Sequence, residues 1–323
     1  MRPIGVGLVG HGASGAFLHG PLLEAAQDYD IRAVVTARPE SLVLRRGAPR
    51  AVDLNSCLEA TDVELVVVAS PNAMHYAHAH AALEAGKHVV VDKPFVPSVR
   101  QADALIALSE RVGRTLTVFQ NRRFDADFRT VRRLVRSGDL GNVISYDARW
   151  DRQEAGSNDP RQLFVDLGSH QIDQVIALFG AATNPRLELW SRSTPDGVAV
   201  GYDLHLDANA VRCRLSGRTL TPAIGPSLEL QASRGAVVCE RSDPFAMLIH
   251  SGRRPSDEDF WKGVPRPTAV LHLAGRETRL RCSPNAWRRF YDRLAGVLRG
   301  ASKPVVTHEQ MRRVVSVMET AQA

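Results

Sequence analysis

Short apolar runs alternate with longer stretches of helical spacing over the first third of the chain. Residues 4–9, 31–36, 65–69, 88–91 and 115–119 are strand-length and largely apolar, the pattern of strands covered on both faces of a parallel sheet. Between them, residues 16–27, 72–85 and 98–112 repeat apolar positions at helical spacing. This predicts an α/β Rossmann domain, a doubly wound parallel sheet, over residues 1–120. After 121 the pattern changes. A helix at 125–136, a strand at 143–150 and a helix at 166–179 precede strand-like runs at 186–192, 198–206, 210–215, 228–232 and 237–240. Residues 121–323 are therefore predicted to form a second α/β domain, with a large open, mostly antiparallel sheet and helices on one face. Residues 284–299 and 307–320 read as terminal helices. Thr307 caps the second, which is expected to pack back on the first domain.

Composition adds little to this picture and removes several alternatives. The chain has 323 residues, enough for about two domains, with 44% hydrophobic and 24% charged residues. It contains no apolar run long enough to span a membrane and starts its first strand at once, which predicts a cytoplasmic protein. Cys57, Cys213, Cys239 and Cys282 are scattered without metal-ligand or redox spacing, so reduced cysteines and no metal are expected. A net charge of +6 invites a nucleic-acid partner. The basic residues, however, fall in pairs along the whole chain, without a basic arm or interleaved aromatics, and are expected on solvated helix faces.

Candidate chemistry begins at the first turn. Gly10, Gly12 and Gly15 lie between the first strand and the first helix. Glycines so placed allow a tight turn, close approach of backbone to a pyrophosphate and close packing of helix on strand, with the helix start aimed at phosphates. A glycine-rich turn can also be only a turn, but this context favours dinucleotide binding. At the end of the second strand, where a carboxylate would clamp two ribose hydroxyls, the chain has Thr36 and Arg38. A hydroxyl and a guanidinium suit a 2′-phosphate, so NADP is the expected cofactor, with NAD possible and Arg38 as a solvated loop residue the alternative.

Lys93 stands out because the chain uses four lysines against 37 arginines. A retained lysine points to a need for an ammonium that can share or release its proton, which a guanidinium cannot do. It ends the apolar strand at 88–91 in the sequence Asp92-Lys93-Pro94, and strand ends are where open α/β sheets carry their chemistry. A second cluster, Asp166-Leu167-Gly168-Ser169-His170-Gln171-Ile172-Asp173, sets Asp166 four residues before His170. On a helix this spacing shares one face, and a histidine beside carboxylates is a candidate proton acceptor. A surface ion pair is the alternative, and Asp173 is equally suited to a structural cap or pair.

Taken together, Gly10/Gly12/Gly15, then Ser70-Pro71-Asn72 with His75, then Asp92-Lys93-Pro94, then Asp166 and His170 follow the order and spacing of the Gfo/Idh/MocA oxidoreductases, which the chain resembles over nearly its whole length. The stretches Phe17-Leu18-His19-Gly20-Pro21 and Asn121-Arg122-Arg123-Phe124 look most like the NADP-dependent scyllo-inositol dehydrogenase branch. The resemblance implies a Rossmann domain, a second domain whose open sheet walls the active site and often joins subunits into a homodimer or homotetramer, and hydride transfer between a nicotinamide and a sugar or cyclitol carbon. It implies that Lys93 stabilises charge on the reacting oxygen, that His170 is the acid/base, and that Asp166 orients His170 or binds a substrate hydroxyl. Asn121 and Arg122 would face the nicotinamide ribose or substrate. Ser14, Ser70, Pro71, Asn72, His75, Asp92 and Pro94 join the expected cofactor-binding set, with Pro94 fixing the chain through a cis bond.

One departure qualifies this picture. Relatives carry a longer, glycine-rich, tryptophan-containing segment where this chain has only residues 151–165. The shortening implies a wider pocket, a lost subunit contact or lost turnover. The alternative function is thus a non-catalytic dinucleotide-binding sensor or regulatory protein of the same fold.

Overall fold

The computed structural model describes residues 2–37, 50–240, 244–255, 257, 260, 262–263 and 267–323. The chain divides into two compact units, one of residues 1–121, 245–263 and 287–315, the other of residues 122–244, 264–286 and 316–323. The chain first passes from one unit to the other after residue 121. The chain then returns twice to the first unit, so the second region is not one continuous stretch.

In the first unit the order is β1 (Ile4–Val9), α1 (Gly20–Ala25), β2 (Tyr29–Val35), β3 (Arg50–Val52), α2 (Leu54–Glu59), β4 (Leu65–Val68), α3 (His75–Glu84), β5 (His88–Val91), α4 (Val99–Arg111) and β6 (Leu116–Val118). All six strands are parallel, in the order β3-β2-β1-β4-β5-β6. One set of strand side chains, including Val66, Val68, Val89 and Val91, packs against Ala79, Ala82 and Leu83 of α3 and Ala102, Leu105 and Leu108 of α4. The alternate set, Val6, Leu8, Leu65, Val67 and Val90, is equally buried, as helices on both faces require. Short side-chain caps start the helices: Ser98 Oγ accepts from the Gln101 amide at 3.3 Å in α4, and Asp53 from the Ser56 amide at 2.9 Å in α2.

The second unit holds α5 (Ala126–Ser137), β7 (Val143–Asp151), α6 (Pro160–Leu163), α7 (Ser169–Phe179), β8 (Ala182–Thr194), β9 (Gly197–Ala208), β10 (Val211–Arg218), β11 (Leu228–Ala232) and β12 (Gly235–Cys239). After α8 (Phe245–His250) in the first unit, β13 (Thr268–Leu273) and β14 (Arg276–Arg281) complete a sheet of order β14-β13-β12-β11-β7-β10-β9-β8. Every pairing is antiparallel except β7 with β10. One sheet face, with Tyr146, Ala148, Tyr202, Leu204, Leu206, Leu215 and Leu230, is buried, and α7 lies against β8, β9 and β10. The other face carries Asp147, Arg149, Asp203, Arg212, Arg214 and Glu229, the alternation expected of a sheet with one solvated side.

α9 (Arg288–Leu298) and α10 (His308–Gln322) close the chain. Met311 and Val315 of α10 join the apolar cluster under α3 and α4 in the first unit. Two predicted helices begin differently from expectation. The 16–27 stretch starts as a π-helical turn, Gly15–His19, before α1, and the 166–179 stretch starts as a π-helical turn, Phe164–Gly168, before α7. Among the described residues, no helix is long and apolar enough to cross a membrane, and the four cysteines are buried.

At the start of α10 the capping is reciprocal: the Gln310 amide donates to Thr307 Oγ1 and the Thr307 amide to Gln310 Oε1, both at 3.2 Å. Thr307→Ala removes one acceptor and loosens this box. It should lower stability by about 1 kcal/mol, read as a fall in the urea midpoint with an unchanged slope.

Candidate active site

The glycine turn of the first unit is shaped by its own packing. Gly10 has φ +101°, and a Cβ there would sit 2.5 Å from the Ala69 carbonyl oxygen; one on Gly15 would sit 2.1 Å from that of Gly10. Neither position admits another residue. A Cβ on Gly12, by contrast, would meet nothing within 4 Å, so the turn is open on that side. This is a cradle of the kind a dinucleotide diphosphate fits, two glycines set by the fold and one by access. His11 stands between them. It is 8% exposed, and neither ring nitrogen has a hydrogen-bond partner among the described residues. Burial holds it below its ordinary pKa.

The ends of β4 and β5 are tied together behind the turn. Ser70 follows β4, Pro71 follows it, and Asn72 opens a 3₁₀ turn, Asn72–Met74. His75 is buried, its Nδ1 2.8 Å from the Pro94 carbonyl oxygen and its Nε2 2.9 Å from that of Ser70. His78 Nδ1 lies 2.9 Å from Ser70 Oγ. Both nitrogens of His75 are thus spent on backbone, which makes it a positioning residue. The Lys93–Pro94 peptide is cis.

Asp92 is 5% exposed and accepts the Lys93 amide at 2.8 Å. Burial pushes its carboxyl up. The imidazole of His19, the charges of His19 and Lys93 and a hydrogen bond from Ser14 outweigh this, leaving it well below the usual carboxylate range. His19 Nε2 stands 3.6 Å from Asp92 Oδ1, an electrostatic pair longer than a hydrogen bond. Its Nδ1 is 2.6 Å from the Tyr291 hydroxyl, and the Tyr29 hydroxyl donates to the Tyr291 carbonyl at 2.7 Å. Burial raises the Tyr291 phenol well above its usual range, so it keeps its proton. Asp92, expected among the cofactor contacts, therefore spends its carboxylate on the protein itself. Thr36 follows β2, Asn121 is buried in a 3₁₀ turn, and Arg38 lies outside the described residues.

In the second unit His170 sits in the first turn of α7, 5% exposed. Its ring centroid is 6.0 Å from that of Trp150 on β7, and the Arg122 guanidinium stands 4.5 Å over the Trp150 ring while bonding Asp125 at 3.1 Å. The rotation of α7 is set by its buried amides. Gln171 Nε2 donates to the carbonyls of Ala148 and Ser216, and its Oε1 accepts from the Tyr202 hydroxyl at 2.6 Å; Gln174 Nε2 donates to the Arg122 carbonyl. Asp173 forms a bidentate pair with Arg123, both bonds 2.7 Å and both side chains buried. Burial raises the Asp173 carboxyl and the guanidinium opposes it only in part. Of the two roles open to it, Asp173 takes the structural pair. Asp166 falls inside the π-helical turn, and its Oδ2 accepts from Arg152 at 2.9 Å, with both side chains half-exposed.

Residues 4–120 match the family model for the oxidoreductase family with an NAD-binding Rossmann fold, GFO_IDH_MocA, and residues 128–238 match the GFO/IDH/MocA C-terminal domain. The chain belongs to the Gfo/Idh/MocA oxidoreductase family. It is an NAD(P)-dependent oxidoreductase of the dehydrogenase kind. It is 29% identical to the scyllo-inositol 2-dehydrogenase (NADP(+)) IolW of Bacillus subtilis, covering 98% of this chain and 92% of the relative. It is 31% identical to the uncharacterized oxidoreductase YdgJ of Escherichia coli, covering 98% and 94%. Among solved structures, the putative oxidoreductase yvaA from Bacillus subtilis superposes with a TM-score of 0.88 at 28% identity, over 99% of this chain and 96% of that one.

Sequence reasoning gave no role to His11, His19, Tyr291, Trp150 or Arg152. His19 lay in a stretch already noted for its resemblance, and His11 between two glycines, so both carried a signal. Tyr291 and Trp150 carried none, since only the fold brings them to histidines.

Asp92 also generates a test. A carboxyl depressed in the folded state contributes stability above its unfolded pKa, about 3.9, and loses it as pH falls through the folded value. Asp92→Asn should cost about 1–3 kcal/mol at neutral pH. The gap to the parent protein should narrow below about pH 4, as followed by urea unfolding at a series of pH values.

Proposed function

We propose that this oxidoreductase transfers a hydride between NADP(H) and a carbon of a sugar, cyclitol or related polyol or keto-sugar. The observation that carries the proposal is the sharing of one buried carboxylate. Asp92 holds both Ser14 of the glycine turn and the backbone amide of Lys93, so the lysine is fixed relative to the turn that would cradle the dinucleotide. Gly10, Gly12, Ser14 and Gly15 would hold the diphosphate, with Ser70, Pro71, Asn72, Asn121 and Arg122 as further contacts. When bound, the nicotinamide supplies the hydride acceptor or donor.

In the oxidative direction His170 accepts the hydroxyl proton, while the Lys93 ammonium donates to the same oxygen and stabilises the charge that develops there. Asp166 binds a substrate hydroxyl or steadies His170 through the turn they share. The cyclitol substrate in the name of the Bacillus relative supports the substrate class. A homodimer or homotetramer belongs to the same proposal.

NADP(H) should bind more tightly than NAD(H), because the end of β2 offers Thr36 and, beyond it, Arg38 in place of a carboxylate. Arg38→Ala should weaken NADP(H) by about 1.5–3 kcal/mol, the scale of a charged hydrogen bond, and leave NAD(H) nearly unchanged. Quenching of tryptophan fluorescence measures both, and equal or tighter NAD(H) binding by the parent protein overturns the assignment.

The chemistry has its own test, once a screen of inositols, polyols and keto-sugars by nicotinamide absorbance has found a substrate. Lys93→Met and His170→Ala should each lower kcat by about 10²–10⁴ while cofactor affinity stays within a few fold. Lys93→Arg should not restore the rate, since a guanidinium is larger and cannot share its proton. Near-normal turnover in either truncation removes that residue from the mechanism.

A further inference from the structure

We propose that His11 is a binding group for the diphosphate of the dinucleotide and takes up a proton as the dinucleotide binds. The proposal rests on the dinucleotide-binding function above and extends it to a side chain on which the glycine pattern is silent.

Buried polar groups in folded proteins are nearly always paired, and each one left unpaired costs about 1–3 kcal/mol. Among the described residues the buried side-chain atoms without a hydrogen-bond partner are both ring nitrogens of His11, His19 Nε2, Gln101 Oε1, Thr117 Oγ1 and Asp151 Oδ1. His11 and Thr117 have every polar side-chain atom in that set, but only His11 is a titratable ring orphaned at both nitrogens, and His19 Nε2 has Asp92 at 3.6 Å. His11 lies in the chain between Gly10, pressed against the Ala69 carbonyl, and Gly12, whose Cβ direction is open. A partner for its ring must come from outside the described residues.

The titratable groups on the neighbouring segments are engaged elsewhere. His75 lies on the carbonyls of Ser70 and Pro94, His78 on Ser70 Oγ, and Asp92 on His19, Ser14 and the Lys93 amide. Burial is what lowers the pKa of His11. In the free protein the ring is therefore neutral near neutral pH, with one N–H. A diphosphate in contact favours the imidazolium, whose two N–H groups both donate to anionic oxygens. Binding then draws a proton from solvent, and affinity rises as pH falls.

The test is calorimetric titration of the full chain with ADP-ribose, which carries the diphosphate but neither a nicotinamide nor a 2′-phosphate that would titrate in the same range. Titrations run from about pH 5.5 to about pH 8.5, in buffers of different ionisation heat. The parent protein should bind at least about five-fold more tightly at the acidic end and show net proton uptake. His11→Phe keeps the ring's bulk and should bind about ten-fold more weakly at acid pH, with no uptake and a flat profile. Binding by the parent protein without proton uptake overturns the role of His11 even if the variant does not fold, and leaves the dinucleotide function standing. A variant that matches the parent at every pH overturns it as well. Failure of ADP-ribose, NADP(H) and NAD(H) alike to bind the parent protein overturns both.

Discussion

A buried carboxylate governs the first unit. Asp92 lies at the end of a fully apolar strand, where an ionised group is tolerated only with its partners in place, since an uncompensated buried charge costs several kcal/mol. Those partners come from distant parts of the chain: Ser14 from the glycine turn, His19 from the π-helical turn, the Lys93 amide from its own strand end, and Tyr291 of α9 behind His19. Each must arrive for the charge to be stable. The constraint therefore aligns the turn, the lysine and the returning helix at once. The wider π-helical turn at Gly15–His19 accompanies this arrangement, as such turns often accompany functional sites.

The second unit reaches the same end with neutral amides and one ion pair. A helix resting on a sheet can rotate about its axis at little cost in apolar contact, but not when its buried amides must each find fixed carbonyls and hydroxyls. Gln171 and Gln174 lock α7 to β7, β9, β10 and the Arg122 carbonyl, and Asp173 locks it to Arg123. With α7 held in that rotation, the His170 ring faces Trp150.

Much of this was legible in the sequence where local pattern and global fold agree. Apolar strands alternating with helices placed five of the six parallel strands, and glycine spacing placed the turn. β3, of three residues, lay below the length at which periodicity speaks. β14 escaped for a different reason: Arg276-Glu277-Thr278-Arg279-Leu280-Arg281 is an edge strand with nearly every side chain polar, which reads as loop until a partner strand is known. At the site, the glycine turn, Lys93 and His170 were visible as motifs. The π-helical turn that carries Asp166 has no signature in one sequence. The supporting contacts, Tyr291 with His19 and Arg123 with Asp173, join residues far apart in the chain, and pattern cannot pair them.

Satisfied and unsatisfied polar atoms separate two kinds of residue around the turn. His75, Asp92 and Gln171 are polar, buried and fully engaged with the protein, so replacing any of them disturbs geometry first and chemistry second. His11 is also buried, and it is engaged with nothing described. A fold that pairs its other nearby histidines has no structural reason to leave this one bare, since an apolar ring would fill the same volume without the penalty. A ligand in the glycine turn would remove the imbalance, and the open side of Gly12, the next residue, leaves room for one. Lys87 spends its ammonium on the carbonyls of Ala60 and Val63, whereas Lys93 stands at the strand end that the carboxylate of Asp92 fixes through its backbone amide.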